Sequence, residues 1–496
     1  MSQLPVTLKL TTAVKQFKDL DLYSVHQAFT AAAGIQEAFL FESVAGPLAD
    51  KRFSMLGCHK LFELSFFGET LIISGLAEPV ALVSKALLAN KLIAQQQQHY
   101  VLHPGVDIWA FLKSLHRLFN INAHDAEKPW FSSGFLSTFD YDFSWRIENL
   151  PRLIEAEDPA PDLALGFFQS ILYFDYAKKT SYLTSNQLDC KHPVFALDQL
   201  DLTNIPPLKT EDPQYQPMRT VDKAEYLAWV ERAMEHIRAG DIYQVQLGHE
   251  ILVKTDISPQ AVYHRLRQNN PSPYMFFSPC HDRILVGASP ELYVRKVGST
   301  FVMRPIAGTI RRGATEAEDQ QLIAQLEADE KERAEHLMLI DLCRNDMGRI
   351  CKPGSLDETD IMFVEKYSHV SHLVSNIVAT LQDGQDIYDI MKATFPAGTM
   401  SGAPKVRAME IIEAFEKSRR IYYAGAVGFI DLSGEAELGL MIRTTSHKNG
   451  CYHLRASAGI VIESVAESEW LETLAKMSAP YKAITGKELK REDFIN

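Results

Sequence analysis

An α+β fold is what the sequence predicts, and three observations carry the expectation. Short strand-like runs alternate with helix-like stretches through both halves of the chain. The second half closes on three successive strand patterns, at 423–430, 438–445 and 452–462, before a helix-like stretch bearing Glu469, Glu472 and Lys476. No Rossmann glycine run, Walker pattern or serine elbow punctuates these strands, so the common nucleotide-binding and hydrolase arrangements find no support.

Taken in order, residues 6–10, 38–43, 61–73 around Gly68, 134–142 and 167–174 read as strands. Residues 22–33, stopped by Gly34, and 107–115 read as helices, and the Pro- and acid-rich 148–162 as a loop. Pro206, Pro207, Pro213 and Pro217 disfavour regular structure over 198–219, where we place a linker. The expected organisation is therefore 1–197, linker 198–219, a main domain 220–483 and a tail 484–496. A helix at 223–239, with Asp222 as cap and Gly240 as stop, opens the second half. The strand 242–247 follows, and its alternation puts Gln244 and Gln246 on one face.

With 496 residues, the chain can bury two to four cores or one large interleaved core. A net charge of -13 without a basic tract argues against a nucleic-acid surface. Six cysteines without a CxxC pair fit reduced thiols, and no apolar run suits a membrane span or an export leader, so a cytoplasmic enzyme is expected.

The chemistry centres on residues 332–348, which read as an uninterrupted helix. Leu337, Leu339, Ile340 and Leu342 are spaced for a buried side, and Glu332, Glu335 and His336 share a face. Such a helix ordinarily presents a wet acidic surface. Set against Glu469 and Glu472, however, it would offer four carboxylates to a hard cation, with substrate oxygens completing the shell. Arg443 suits bidentate capture of a substrate carboxylate. Glu291, fixed after Pro290, suits a general acid. Gly308-Thr309 can present N–H and hydroxyl groups, and the small residues of 395–405 let backbone approach a ligand.

Several ordered motifs give these residues a family. Arg304-Pro-Ile-Ala-Gly-Thr309, Lys331-Glu-Arg-Ala-Glu-His336, Asp341-Leu-Cys-Arg-Asn-Asp346, Ser368-His-Val-Ser-His372, Phe395-Pro-Ala-Gly-Thr399, Ser401-Gly-Ala-Pro-Lys405 and Ala458-Gly-Ile-Val461 resemble the chorismate-utilising enzymes. The likeness is strong over the second half and weak over the first. It implies a large antiparallel β-sandwich core flanked by helices, and Mg2+ as cofactor. Glu335 and Glu472 match the direct metal ligands, with Glu332 and Glu469 as their water-mediated partners. Glu291 matches the acid that protonates the departing C4 hydroxyl of chorismate. His372, Gly308, Thr309, Thr399, Tyr423, Arg443, Ala458, Gly459 and Lys476 match the walls around the ring and carboxylates.

Two positions divide the family. Gln244 stands where water-adding members carry an activating lysine, and Ala307 where aminodeoxychorismate-forming members commonly carry a ring-bonding lysine. Together they favour the anthranilate-forming large subunits of tryptophan biosynthesis, which release pyruvate. Amination that keeps the enolpyruvyl group is the alternative. Without a Cys-His-Glu amidotransferase triad in this chain, ammonia is expected from a separate glutamine amidotransferase, component II. Glu42, Ser43, Pro273, Tyr274 and Met275 resemble the family's tryptophan-binding segments and imply feedback inhibition. Phe41, Ser457 and Glu437 depart from the family, which has leucine, glycine and aspartate there.

Overall fold

The structure, a computed structural model, describes residues 4–18, 20–46, 50–123, 129–208, 212–367 and 370–489. Ser368 and His369 of the motifs above lie outside these residues, as does most of the expected tail. Among the described residues the strands join into one hydrogen-bonded network. Its ladders are antiparallel except that between Leu8–Lys18 and Phe119–Ala123. Helices flank it, so the expected α+β architecture with a large antiparallel core is the one found. No helix among the described residues is long and apolar enough to cross a membrane.

The strand Gln244–Thr255 shows how the site is positioned. On one face Val245, Leu247, Ile251 and Val253 pack with Trp229 of the helix Lys223–Arg238, Ile412 of Lys405–Phe415, and Trp470 and Leu474 of Ala466–Thr485. Each such buried side chain is worth roughly 1.5–3 kcal/mol. The alternate residues Gln244, Gln246 and Glu250 occupy the other face, which is left for polar work. The C-terminal helix is locked in place by Trp470 stacking on His249, with centroids 4.4 Å apart, and by a 2.8 Å bond between His249 Nε2 and Thr473 Oγ1. Its register fixes where Glu469, Glu472 and Lys476 emerge.

The acidic helix spans Glu330–Gly348, with the Asp329 side chain capping it through the Glu332 N–H. Leu339, Ile340, Cys343 and Met347 face the core, and His336 Nε2 lies 2.7 Å from Ser375 Oγ. Leu337 does not join them: it is 53% exposed, because the stripe 336, 339, 340, 343 and 347 leaves it on the outer side.

The linker and several boundaries need correction. Tyr215–Arg219, Pro217 included, is a strand paired with Gln244–Thr255. Proline is tolerated where one side of a strand carries no ladder. Asp222 occupies the cap position of its helix without a side-chain capping bond. The expected strand 438–445 is two strands, Ala436–Leu440 and Thr444–Lys448, with Arg443 between them at φ 50°. Tyr423 lies in the turn before Ala426–Asp431. Residues 484 and 485 complete the helix Ala466–Thr485 rather than begin a tail.

The halves before and after the linker share the sheet. Ala38–Glu42 pairs with Tyr274–Cys280, and Gly134–Phe139 pairs with Ala426–Asp431.

Candidate active site

Two glutamines and a glycine form the floor. Gly459 sits opposite Gln246 in the ladder between Gln244–Thr255 and Cys451–Ile460. A Cβ on Gly459 would lie 2.8 Å from Gln244 Nε2, 2.9 Å from Gln246 Nε2 and 3.5 Å from Glu335 Oε1, so a side chain there would fill the space these groups face. Gln244 Nε2 donates to Glu335 Oε1 at 2.8 Å, which joins the strand to the acidic helix.

The expected carboxylate set converges electrostatically. Burial pushes the Glu335 carboxyl up, and the charge of Glu472 adds to it. Burial likewise raises Glu332, helped by Glu335, and raises Glu469 against a bond from Ser464. Carboxyls crowded in this way suit the binding of a cation. Glu472 is the open member, paired with Lys476 at 2.7 Å. Among the described residues no three His, Cys, Asp or Glu side chains close a metal cage by themselves. All four donors are hard oxygens, so the residues fit an Mg2+ ion whose shell is completed by water and a substrate carboxylate.

The opposite wall comes from a bulge. Ile306–Arg311 pairs with Val370–Thr380, and the register slips between Ala307 and Thr309. Gly308, at φ 61°, occupies the slip, which turns its carbonyl to within 3.0 Å of His372 Nδ1. A carbonyl only accepts, so Nδ1 carries the proton and Nε2 keeps the lone pair. Thr309 Oγ1 also lies 3.0 Å from Nδ1. Burial lowers His372 to about 4, so the ring is neutral near pH 7. A Cβ on Gly308 would sit 3.1 Å from Glu332 Oε2, placing this bulge beside the carboxylates.

Glu291 stands between Arg283–Ser289 and Leu292–Val297. Burial pushes its carboxyl up to about 8, opposed by Lys476 and by Thr399 Oγ1, which donates to Oε1 at 3.2 Å. It therefore holds its proton at neutral pH. Thr399 is placed by the turn Gly398–Met400, where a Cβ on Gly398 would collide with Leu342 Cδ2 at 1.9 Å. Burial lowers the Arg443 pKa, against the influence of Tyr423 and Glu472. Among the described residues no carboxylate lies within ion-pair distance of Arg443. Tyr423 OH is bonded to Ser457, and Lys476 Nζ donates to the Ser457 carbonyl at 2.9 Å.

Ala458 is not brought to this site. It alternates with Gly459, and its methyl is buried in the helix-side core. Gln246 and Ser457 are brought in although the sequence assigns neither a role in the site. The Gln244/Gln246 alternation was the available signal for the first, and the departure from glycine for the second.

A cavity lies at the seam between the halves. Glu42, Ser43, Pro273, Tyr274 and Met275 all line it, with Phe41 and Phe429 among its apolar walls. The Glu42 carboxylate is already held by Tyr263 OH at 2.7 Å and Arg267 Nε at 2.9 Å. Ser43 Oγ donates to the Asp50 carbonyl at 3.2 Å, and Tyr274 OH to Asp50 Oδ1 at 2.7 Å. Arg304 binds Asp50 and Glu365, two residues before the strand that carries Gly308.

Known proteins share this sequence and fold. A family described as chorismate binding enzyme matches residues 78–482. The chain is 39% identical over 489 residues to a 2-amino-4-deoxychorismate synthase of Streptomyces globisporus, covering 97% of this chain and 98% of that one. It is 37% identical over 470 residues to anthranilate synthase component 1 of Acinetobacter calcoaceticus, covering 90% of each. The structure of anthranilate synthase component I from Streptococcus pneumoniae superimposes with a TM-score of 0.72 at 30% identity, over 86% of this chain and 92% of that one.

Proposed function

This chain belongs to the chorismate-binding enzyme family, and we propose that it aminates chorismate, displaces the C4 hydroxyl and releases an aminodeoxychorismate with the enolpyruvyl group retained. The observation that carries amination is Gln244. Its amide donates to Glu335 and has no basic lone pair, so nothing at that position activates water. The nucleophile must attack without first losing a proton to a base, as neutral ammonia does.

Retention of the enolpyruvyl group was the alternative in the sequence reading, behind anthranilate formation. It is supported by the relative matched over 97% of this chain, which is named for a 2-amino-4-deoxy product. Amination at C2 needs no ring-bonding lysine, so Ala307 is compatible with it. Anthranilate formation stands as the second reading. It is favoured by the free Nε2 of neutral His372, which suits removal of the C2 proton, and by the anthranilate synthases among the relatives.

In the proposed reaction the protonated Glu291 gives its proton to the C4 oxygen as that bond breaks, and Thr399 orients the carboxyl. Arg443 takes one substrate carboxylate. Glu335, Glu472, Glu332 and Glu469 would hold Mg2+, which supplies positive charge to the other. Gly308 and Thr309 keep His372 in one tautomer. Ammonia would come from a separate amidotransferase subunit, because the sequence shows no Cys-His-Glu triad motif for amide hydrolysis. The seam cavity is assigned to tryptophan as an inhibitor, and the expected cytoplasmic setting is kept. The test is the product made from chorismate, ammonium and Mg2+. Aminodeoxychorismate without pyruvate is expected; equal amounts of anthranilate and pyruvate would transfer the assignment to the second reading.

A further inference from the structure

Gln246 and Ser457 form a buried relay with Tyr423. On the polar face of the sheet Ser457 stands opposite Gly248, and its Cβ lies 3.0 Å from where a Cβ on Gly248 would be. That missing side chain gives the serine its space. Ser457 Oγ donates to Gln246 Oε1 at 2.9 Å. It also lies 2.7 Å from Tyr423 OH, while the Ser457 N–H donates to the same phenol oxygen at 2.8 Å.

Counting hydrogens fixes the direction of the relay. Ser457 has one hydroxyl hydrogen, and the amide oxygen of Gln246 can only accept it. The phenol must therefore donate to Ser457 Oγ, while its own oxygen accepts from the Ser457 N–H. The Tyr423 proton is directed at Ser457 Oγ. Gln246 is left with its Nε2 hydrogens directed over Gly459, beside the amide that Gln244 extends to Glu335.

We propose that Gln246 and Ser457 are product-determining positioning residues: Ser457 withholds the Tyr423 proton from the substrate, and the Gln246 amide supplies a donor in its place. The inference rests on the amination reading above. Release of pyruvate from the aminated ring breaks the C3–O bond. The C2 proton goes to a base, and its electron pair closes the C2=C3 bond of the aromatic ring. The departing enolate gathers negative charge and takes a proton to become pyruvate. A phenol proton committed to Ser457 cannot assist that departure, so the enolpyruvyl group stays.

The experiment is a cycle of Ser457→Ala, Tyr423→Phe and their double variant, with aminodeoxychorismate, anthranilate and pyruvate measured from chorismate, ammonium and Mg2+. Ser457→Ala should raise the ratio of pyruvate to total aminated product about tenfold, the worth of one hydrogen bond to a charged group. In the Tyr423→Phe background the same change should move the ratio less than about twofold. Gln246→Met should raise the KM for chorismate about tenfold with a smaller change in kcat. It also serves as the independent test if Ser457→Ala does not fold. An equal effect of Ser457→Ala with and without the phenol would overturn the relay, as would an unchanged KM in Gln246→Met. The wild-type product tests the reaction assigned to the chain, and the coupling between positions 423 and 457 tests the relay, so the two fail separately.

Discussion

Glu291 and Glu416 are both buried, yet their carboxyls move in opposite directions. Burial raises Glu291 to about 8, and only a threonine hydroxyl and the field of Lys476 oppose it. Burial also pushes Glu416 up, but Arg420 and Arg455 together with the Gly248 N–H outweigh it and hold the carboxyl below its ordinary value. The same contrast separates two regions. Around Glu416 each charge meets an opposite one: Arg420 at 2.8 Å and Arg455 at 2.6 Å. In the pocket Glu332 is crowded by Glu335 and Glu472, Glu335 and Glu469 by Glu472, and Arg443 has no carboxylate within ion-pair distance among the described residues. Structural charge is neutralised from within the fold. Charge left uncompensated needs a ligand to balance it.

Substituting the two glutamates should break this comparison most visibly. Glu291→Gln should lower kcat by about 10²–10⁴ without lowering Tm, because a proton donor is lost without stranding a charge. Glu416→Gln strands two buried arginines and should cost about 3–5 kcal/mol of stability. Steady-state kinetics beside thermal unfolding of both variants separates the outcomes. A large loss of Tm in Glu291→Gln would make that residue structural.

The carboxylate crowd supplies the next largest effect. Glu335→Gln should weaken the dependence of activity on Mg2+ concentration by about tenfold or more while circular dichroism stays native. Retained wild-type Mg2+ dependence would remove Glu335 from the ion's shell.

The pH profile sharpens the contrast further. Glu291 must be protonated to act, so activity should fall as pH rises through about 8, and Glu291→Gln should lack that limb. The linkage has a definite sign. A carboxyl raised on folding binds its proton more tightly in the native state. Its contribution to stability is fully present below the ordinary glutamate pKa and is lost as pH rises toward about 8. Glu416, held low, contributes stability above the ordinary glutamate pKa and loses it as pH falls through its own lowered value. Urea midpoints of the two Gln variants against pH should therefore slope oppositely relative to wild type.

The smallest effect on basal turnover belongs to the seam cavity. Ser43→Phe should fill it, abolish inhibition by tryptophan and leave uninhibited kcat within about twofold. Equal inhibition of both proteins in a chorismate titration would move the inhibitor elsewhere.

Much of this was legible in the sequence where periodicity is local. The helix Leu22–Ala33 has its expected ends, and Gln244 and Gln246 share a face as alternation demands. Placement and spacing offered Glu291 as an acid and the four glutamates as a cation site; motif likeness sharpened those proposed roles and added that of His372. What escaped depends on three-dimensional context. Arg443 read as a strand residue because apolar neighbours flank it, and the φ 50° break between strands has no glycine to announce it. Pro217 argued for a linker because proline excludes a ladder bond, though only on one side. Ala458 was taken with Gly459 as a unit, while alternation sends its side chain to the other face. The relay through Ser457 needed hydrogens counted between strands far apart in sequence.

The shared sheet has a consequence for how the polypeptide can be cut. The ladders of Ala38–Glu42 with Tyr274–Cys280 and of Gly134–Phe139 with Ala426–Asp431 join the two halves independently of the residues that connect them in sequence. Covalent continuity at 198–214 is then a convenience of synthesis rather than a tie that keeps the molecule together. A chain nicked there should migrate as one species under native conditions and as two in denaturant. Two fragments expressed together should reassemble an active enzyme, whereas each alone would present unpaired strand edges to its neighbours and aggregate.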